Sequence, residues 1–509
     1  FGSSIVAQAC YVWSTRRRSI WYQAYPCICN MGSTQSHEEC VPEEFGMDFK
    51  GSIVADNPKV LSCARPDFVH TALDQDDPQP EFELSPPYKA NRSGDLSLDA
   101  YTPRSDPSSV EPCPEAIAGP PPMPECLLRT NFSALRFRKS CYFDATVRWG
   151  VKAFVPYNHM LLPCGFTTPL DEYQSLRNDV CLWDVASERQ IELLGPDAFK
   201  LAEILTPRPI AGMKVGECRY AMITDAEGMV LNDPIVLKLS EDRYWFSIAD
   251  SDLLLWIKGL AVGRGLDVKV TEPDVSPLAI QGPKSLSLMR DLFGDWVDDL
   301  KFYHFRETTL DGIPMVVARS GWSPERGYEL YLQDGSRGDE LWERIMEAGR
   351  MYSIKPGVPN QIRRMEGGLL SYGSDVTSAH NVMELGLPPK WCSAAKTADF
   401  IGKAALKRLA ENGGAQRQVM GLEFCGRGEG LEQNLGPLFK SWKVVASDGE
   451  GDLGEVTSLC HSPGMGAYIA IATLKSEASE AGGEVYVETP HGILARAVVR
   501  KLPFMPRAP

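Results

Sequence analysis

The 509-residue sequence lacks the short motifs that mark several common enzyme classes. It has no G-x-G-x-x-G loop after a strand, no G-x-x-x-x-G-K-[ST] loop, no H-E-x-x-H pair and no G-x-S-x-G turn. Its 14 cysteines form no paired C-x-x-C motifs, and no two of its 7 histidines lie at metal-ligand spacing. We therefore predict no metal site. The sequence also lacks the motifs that would indicate a nucleotide-binding protein, a zinc hydrolase or a serine hydrolase.

Positive charge and long apolar runs are also scarce. The chain has 52 Lys and Arg against 67 Asp and Glu, a net charge of −15, which argues against any general attraction to nucleic acid. It contains no apolar run long enough to cross a membrane, so no transmembrane segment is predicted. With 43% hydrophobic residues, the sequence predicts a soluble protein of the cytoplasm or of an organellar matrix.

The first 130 residues differ in composition from the rest. They hold 18 Asp and Glu against 10 Lys and Arg, and they end near the run G-P-P-P-M-P at 119–124. No sustained helical or alternating apolar pattern occurs there. Such a segment buries too little apolar surface to offset the entropy lost on ordering. We predict a disordered extension over residues 1–130.

One motif in this extension suggests a lipid anchor. The sequence from Met31 to Ser36, M-G-S-T-Q-S, fits the pattern for N-myristoylation if Met31 is the true start, and Gly32 would then carry the acyl chain. One acyl chain gives only weak, reversible membrane association. The alternative is an internal Met-Gly without function.

From about residue 131 the pattern changes to that of an α+β enzyme. Two β-rich runs, 235–239 and 244–248, flank a polar turn, and the acidic segment 250–252 precedes an apolar helical segment. Beyond Arg417, short strands alternate with Gly-rich turns. We predict two α+β domains over residues 131–410 and a C-terminal β-barrel over residues 411–509.

Several blocks in this body, in order and in spacing, resemble the folate-dependent aminomethyltransferase family, whose best-known member is the T-protein of the glycine cleavage system. The most extensive are Y-A-M-I-T-D-A-E-G-M-V-L-N-D at 220–233 and S-G-W-S-P-E-R-G-Y-E-L at 320–330, and others lie at 178–185, 194–198, 279–284, 364–373, 399–403 and 500–504. Each block alone is weak evidence for the family, whereas the whole set in the same order and spacing is strong evidence for it. The resemblance implies a three-domain cloverleaf with a C-terminal barrel.

The resemblance also implies a cofactor, tetrahydrofolate, in the central opening of the cloverleaf. It places Glu329 at the amide-like edge of the pterin, where one carboxylate accepts two N–H bonds, and Trp322 beside the ring. Tyr220 and Asn232 are further cofactor-binding candidates, and Asp233 is the catalytic candidate near the folate nitrogens. The alternatives are a solvated strand position for Glu329, a buried core position for Trp322 and a structural turn role for Asn232.

Within the family, the sequence is most similar to the dimethylsulfoniopropionate demethylases, through blocks at 155–163, 183–190, 205–208, 232–234, 248–252 and 370–373. T-proteins carry two adjacent aspartates where this chain has Asn232 and Asp233. A sulfonium donor leaves as a neutral thioether and needs no general acid, so a single carboxylate is compatible with methyl transfer from such a donor.

The donor would need a surface for its cation and a partner for its carboxylate. Tyr157 and Trp183 are candidates for the cation, since aromatic faces attract desolvated cations, and His159 and Arg364 are candidates for the carboxylate. Each has a plain alternative as a core residue or an ordinary ion-pair partner.

The function implied by this resemblance is methyl transfer from dimethylsulfoniopropionate, a small-molecule methyl donor, to tetrahydrofolate, which gives 3-(methylthio)propanoate and 5-methyltetrahydrofolate. Two alternatives remain. One is the aminomethyltransferase reaction of glycine cleavage, which needs the lipoyl carrier protein as partner. The other is a non-catalytic folate-binding protein on the same scaffold.

Overall fold

The computed structural model describes residues 137–507, apart from residues 393, 427, 429, 432–435 and 448 and the side chain of residue 439. The extension predicted over residues 1–130 and the predicted lipid anchor at Gly32 lie outside the described residues. Within the described part of the chain, no helix is long and apolar enough to cross a membrane.

Helices and strands alternate through the first two thirds of this region, and strands dominate the last third. The helices are α1 (Phe143–Arg148), α2 (Pro169–Asn178), α3 (Ala198–Ile204), α4 (Leu253–Gly263), α5 (Ser285–Phe293), α6 (Gly338–Gly349), α7 (Gln361–Glu366), α8 (Pro389–Cys392) and α9 (Lys403–Glu411). The first strands are β1 (Ala153–Tyr157), β2 (Met160–Gly165), β3 (Cys181–Asp184), β4 (Gln190–Leu194), β5 (Cys218–Tyr220), β6 (Ile223–Thr224), β7 (Val230–Asn232), β8 (Ile235–Ser240), β9 (Arg243–Ser247), β10 (Lys269–Thr271) and β11 (Ser276–Gln281). The later strands are β12 (Phe305–Leu310), β13 (Ile313–Ala318), β14 (Gly327–Leu332), β15 (Lys355–Gly357), β16 (Arg417–Phe424), β17 (Gly436–Val445), β18 (Gly454–Ser462), β19 (Ala467–Lys475), β20 (Glu484–Glu488) and β21 (Leu494–Arg500).

Two sheets form the centre of the fold. One has the strand order β10-β4-β9-β8-β5, and the other has the order β12-β13-β14-β11-β3-β15. The hairpin β8–β9 predicted from the polar turn after residue 239 is present. All pairs are antiparallel except β15 with β3. This mixture of helices and mainly antiparallel sheets confirms the α+β class.

The two sheets pack face to face, with helices on their outer sides. Leu237 and Trp245 of the five-stranded sheet share a cluster with Val316 and Tyr331 of the six-stranded sheet, and the rings of Trp245 and Tyr331 are 6.4 Å apart. Alternate residues such as Phe246 point to the helical side instead. Strand alternation here therefore separates two buried faces, rather than a buried face from a solvated one.

The C-terminal strands close into the barrel β16-β19-β18-β17-β20-β21, which confirms the predicted barrel. Its interior is a separate apolar cluster. Helix α7 packs on the outside of the barrel, where Ile362 and Met365 contact Cys460 and Ile471. The exact domain boundary at residue 410 stays a prediction.

Helix α7 also carries three almost fully buried charges, on Arg363, Arg364 and Glu366. The Arg363 side chain is 1% exposed, and it donates to Glu325 at 2.7 Å and to Glu366 at 2.9 Å. Glu366 in turn accepts hydrogen bonds from Tyr173 of α2 and Ser462 of β18. These bonds connect the sheets, α7 and the barrel through one network.

We predict that Arg363→Met lowers the free energy of unfolding by about 3–5 kcal/mol, because two buried carboxylates would lose a charged partner. Urea denaturation of the whole chain measures this change. The matched control is Arg337→Met, which removes an exposed pair with Glu340 and should change stability by less than about 0.5 kcal/mol. Equal effects of the two substitutions would contradict the prediction.

Candidate active site

Glu329 lies on the inter-sheet face of β14, between two small residues. Its neighbours across the sheet are Ala318 on β13 and Ala279 on β11. The same row continues from Ala279 to Trp183 on β3. Two alanines leave room around the carboxyl group that larger side chains would fill. Glu329 is nevertheless buried, with 6% of its surface exposed, so the solvated-strand alternative is wrong.

The hydrogen bonds of Glu329 hold one of its two oxygens. Ser320 Oγ and Tyr331 Oη, the latter at 3.0 Å, both donate to Oε2. Since no described residue donates to Oε1, this oxygen keeps its full acceptor capacity. Burial raises the pKa of Glu329, while the two hydrogen bonds and the Arg507 guanidinium act in the opposite direction and favour the ionised form.

The turn that follows β13 is shaped around a buried glutamine. Gln281 donates to the carbonyl of Ser320 at 3.1 Å and accepts a bond from Ser323 Oγ at 2.7 Å. Gly321 has φ +148°, and a Cβ atom there would lie 2.1 Å from Gln281 Nε2. Only glycine fits at this point of the S-G-W-S turn, which places Trp322 next to Glu329's strand.

Asp233 and Tyr220 form the second part of the site. Tyr220 Oη donates to Asp233 Oδ2 at 2.9 Å. Burial raises the pKa of Asp233 to about 7, although the bond from Tyr220 lowers it. The carboxyl group therefore takes up and releases a proton near neutral pH, as a general base must.

Two further tyrosines lie near Asp233. The negative charge of Asp233 raises the pKa values of both Tyr157 and Tyr372, after the larger effect of burial. Tyr157 comes just before the tight turn of the β1–β2 hairpin, and Tyr372 follows α7. The sequence analysis predicted a role for Tyr157. Tyr372 lies in the block at 370–373, but it was not among the predicted site residues.

Asn232 points away from this carboxyl group and holds a neighbouring loop. Its amide donates to the Ala249 carbonyl at 3.0 Å and to Ser251 Oγ at 2.8 Å, and it accepts from the Ala249 N–H at 3.1 Å. These bonds match the structural-turn alternative. Its predicted contact with the cofactor stays a prediction.

Glu188 is a site residue that the sequence did not reveal. It follows β3 in the turn before β4, and its carboxyl group interacts electrostatically with Glu329 and Asp233. Burial, then Glu329, then Asp233 raise the pKa of Glu188 well above its usual range. The residue is partly accessible. It belongs to the block at 183–190, but nothing in the spacing showed which way it points.

The two predicted tryptophans have different surroundings. Trp183 is 1% exposed and packs with Leu176, Val185 and Ala279. Trp322 is partly exposed, its Nε1 donates to the Leu370 carbonyl at 3.4 Å, and its ring centroid lies 5.6 Å from the Arg364 guanidinium. Trp322 therefore has an accessible face, and Trp183 is a core residue in this structure.

The two candidates for binding a carboxylate also differ. Arg364 is fully buried, and its guanidinium already donates to Asp375, Ser458 and Gln361. His159 is exposed at the tip of the β1–β2 hairpin, where Nε2 lies 3.4 Å from Asp252 Oδ1. The predicted roles stay predictions, and the arrangement of Arg364 is that of a structural ion pair.

Comparison with known proteins assigns this fold and site to a family. The model of the GCVT N-terminal domain matches residues 142–392, and that of the glycine cleavage T-protein C-terminal barrel domain matches residues 427–505. Dimethylsulfoniopropionate demethylase DmdA of Ruegeria pomeroyi is 40% identical over 362 residues, which cover 71% of this chain and 96% of that protein. The chain belongs to the glycine cleavage T-protein family.

Other relatives agree with this assignment. An aminomethyltransferase of Bacillus cereus is 28% identical over 381 residues, 74% of this chain and 100% of that protein. The crystal structure of aminomethyltransferase T from Bartonella henselae has a TM-score of 0.64 at 22% identity, and the match covers 73% of this chain and 98% of that one. This likeness confirms the three-domain aminomethyltransferase fold. As a member of this family, the chain is a tetrahydrofolate-dependent one-carbon transferase.

The described residues fit tetrahydrofolate. Glu329 offers a buried carboxylate oxygen without a protein donor, in a space bounded by two alanines, and this suits the N–H groups of a pterin edge. Asp233, Tyr220 and Glu188 lie close enough to one another or to Glu329 to interact electrostatically.

The raised pKa of Asp233 predicts a pH-dependent gain in stability for Asp233→Asn. Between about pH 4 and pH 7, folded Asp233 keeps a proton that the unfolded chain releases, so folding of the wild type becomes less favourable as the pH rises. The variant lacks this penalty. Its stability relative to wild type should therefore increase over this range, by up to roughly 4 kcal/mol, and level off above it.

Urea denaturation at pH 5 and pH 8 tests this prediction. The matched control is Asp299→Asn at an exposed position, which should show no such trend. A stability difference between Asp233→Asn and wild type that is the same at both pH values would contradict the raised pKa.

Proposed function

We propose that this protein transfers a methyl group from dimethylsulfoniopropionate to tetrahydrofolate. The observation that carries the proposal is the charge of the site: Asp233 and Glu188 are enclosed carboxyl groups among tyrosine rings, and no Lys or Arg of the described residues forms an ion pair with either. Such an environment suits a substrate with a desolvated positive charge. The 40% identity to a dimethylsulfoniopropionate demethylase, over nearly all of that protein, supports the same choice.

The residues account for the steps that the protein must assist. Glu329 orients the cofactor through its free Oε1, and tetrahydrofolate, when bound, supplies the nucleophilic nitrogen that receives the methyl group. The C–S bond breaks with its electron pair on sulfur, so the leaving group is a neutral thioether that needs no acid. The transfer releases one proton from nitrogen, and Asp233, with a pKa of about 7, accepts it.

The choice of donor is tested with purified protein, tetrahydrofolate and two donors. We expect dimethylsulfoniopropionate to give 5-methyltetrahydrofolate and 3-(methylthio)propanoate in equal amounts, identified by mass spectrometry. The second donor is an aminomethyl group on the lipoyl carrier protein. Formation of 5,10-methylenetetrahydrofolate from it, without turnover of the sulfonium, would instead support the aminomethyltransferase reaction. Folate binding without turnover of either donor would indicate a non-catalytic protein.

The role of Glu329 is tested separately by its amide variant. Glu329→Gln replaces the carboxylate by an amide, which has one acceptor oxygen and one N–H donor group in place of two acceptor oxygens. It also removes the negative charge. We expect the Kd for tetrahydrofolate to rise at least tenfold, about 1.4 kcal/mol, in fluorescence or calorimetric titration.

Glu307→Gln, at an exposed position of β12, is the matched control for this substitution. It should leave the Kd unchanged. Unaltered folate affinity in Glu329→Gln would remove Glu329 from the cofactor site.

A further inference from the structure

Hydrogen bonds hold the backbone of Glu188 in place, but none holds its carboxyl group among the described residues. Its N–H donates to the Val185 carbonyl at 2.9 Å, and its carbonyl accepts a bond from Gln190 Nε2 at 2.7 Å. The preceding carbonyl, of Ser187, accepts a bond from Asn158 Nδ2 at 2.9 Å. No described residue forms a hydrogen bond or an ion pair with the carboxyl group itself. The turn is thus fixed, while its acidic group has no partner in the part of the chain that the structure describes.

The groups that face Glu188 are acidic or phenolic. Glu329 of β14 and Asp233, which follows β7, are the carboxyl groups that act on it. Tyr157 of β1 and Tyr331 of β14 are the phenols on which it acts. The Arg507 guanidinium lies over Phe302, with its Cζ 3.9 Å from the ring centroid, and it acts electrostatically on Glu329 rather than on Glu188.

Buried carboxylates elsewhere in the described part of the chain have either a cation or several hydrogen-bond donors. Asp184 accepts from Ser140 Oγ and the Ala186 N–H, and Glu172 accepts from two backbone N–H groups. Glu325 and Glu366 bind Arg363, Asp375 binds Arg364, and Glu203 lies 3.1 Å from the Lys396 ammonium group. The pair of Glu188 and Asp233 differs from them, because no described residue binds the Glu188 carboxyl group and Tyr220 Oη is the one described side chain that donates to Asp233. Such a pair is unfavourable in the free protein and becomes favourable when a positively charged ligand binds.

We propose that Glu188 and Asp233 together bind the cationic centre of the methyl donor, and that Glu188 supplies the second carboxyl group which Asn232 does not provide. This inference rests on the proposed function and extends it to donor recognition. The second carboxyl group comes from the β3–β4 turn rather than from the residue beside Asp233. Tyr157 and Tyr220 add their aromatic faces to the same site.

A consequence of this arrangement is that donor binding releases a proton. Burial raises the pKa values of both carboxyl groups, that of Asp233 to about 7, so the free site carries protonated carboxyl groups near neutral pH. A bound cation favours the ionised form, so the carboxylic acid loses a proton to solvent. Donor affinity should then increase as the pH rises from about 6 to 8, because less work is needed to remove that proton.

The test compares Glu188→Gln with wild type and with the matched control Glu307→Gln. Gln keeps the shape of the protonated side chain but cannot acquire a negative charge. We expect the KM for dimethylsulfoniopropionate to rise about tenfold or more, while the Kd for tetrahydrofolate stays within about threefold of wild type. The increase of donor affinity with pH should also become weaker in the variant. Glu307→Gln should match wild type in every respect.

The product 3-(methylthio)propanoate is the second probe, because it has the same carboxylate and a neutral sulfur. Wild type should bind the sulfonium more tightly than this thioether, and Glu188→Gln should lose much of that preference. Equal weakening of both ligands, or unchanged kinetics in Glu188→Gln, would overturn the proposal. Calorimetry in buffers of different ionisation enthalpy measures the released proton, and a value near zero for wild type would also overturn it. Absence of sulfonium turnover by wild type is a different result, since it contradicts the proposed function itself.

Discussion

The junction between the six-stranded sheet, α2 and the barrel depends on how helix α7 places two adjacent arginines in the protein interior. Desolvating a guanidinium group is costly unless good hydrogen bonds and opposite charges surround it, so the positions of its partners are tightly constrained. Arg363 fixes the β13–β14 turn through Glu325, and Arg364 fixes the segment after α7 through Asp375. Glu366 adds bonds from α2 and from the barrel. A six-residue helix thus determines how the sheets and the barrel meet.

The site has the opposite arrangement, because its three carboxyl groups form no ion pair with any Lys or Arg of the described residues. Glu329 has two neutral donors on one oxygen, Asp233 has one tyrosine, and Glu188 has no partner among the described residues. These groups reduce stability in the free protein, as their raised pKa values show. Carboxyl groups with raised pKa values and no cation partner are typical of positions where a ligand supplies the missing donors or charge.

The sequence indicated much of the fold and part of the site, and the reasons are physical. The β8–β9 hairpin and the barrel follow from local alternation and turn residues, which depend on few long-range contacts. The environment of Glu329 was harder to predict, because alternation with Tyr328 and Leu330 normally means an exposed face. In this protein both faces of β14 are buried between layers. A second sheet stacked on the first is a tertiary feature that no local pattern records.

Side-chain direction explains the remaining differences between the predicted site residues and those that the structure brings together. Tyr220 and Asp233 are thirteen residues apart in one motif, and a turn of the chain brings them to a 2.9 Å hydrogen bond, so the motif carried both residues together. Trp183 and Glu188 also share one block, yet Trp183 is packed in the core while Glu188 faces Asp233. A block of similar sequence predicts which backbone segments surround an opening, but it does not predict which of their side chains enter it. For this site, the carboxyl groups that lack protein partners identify those side chains better than motif membership does.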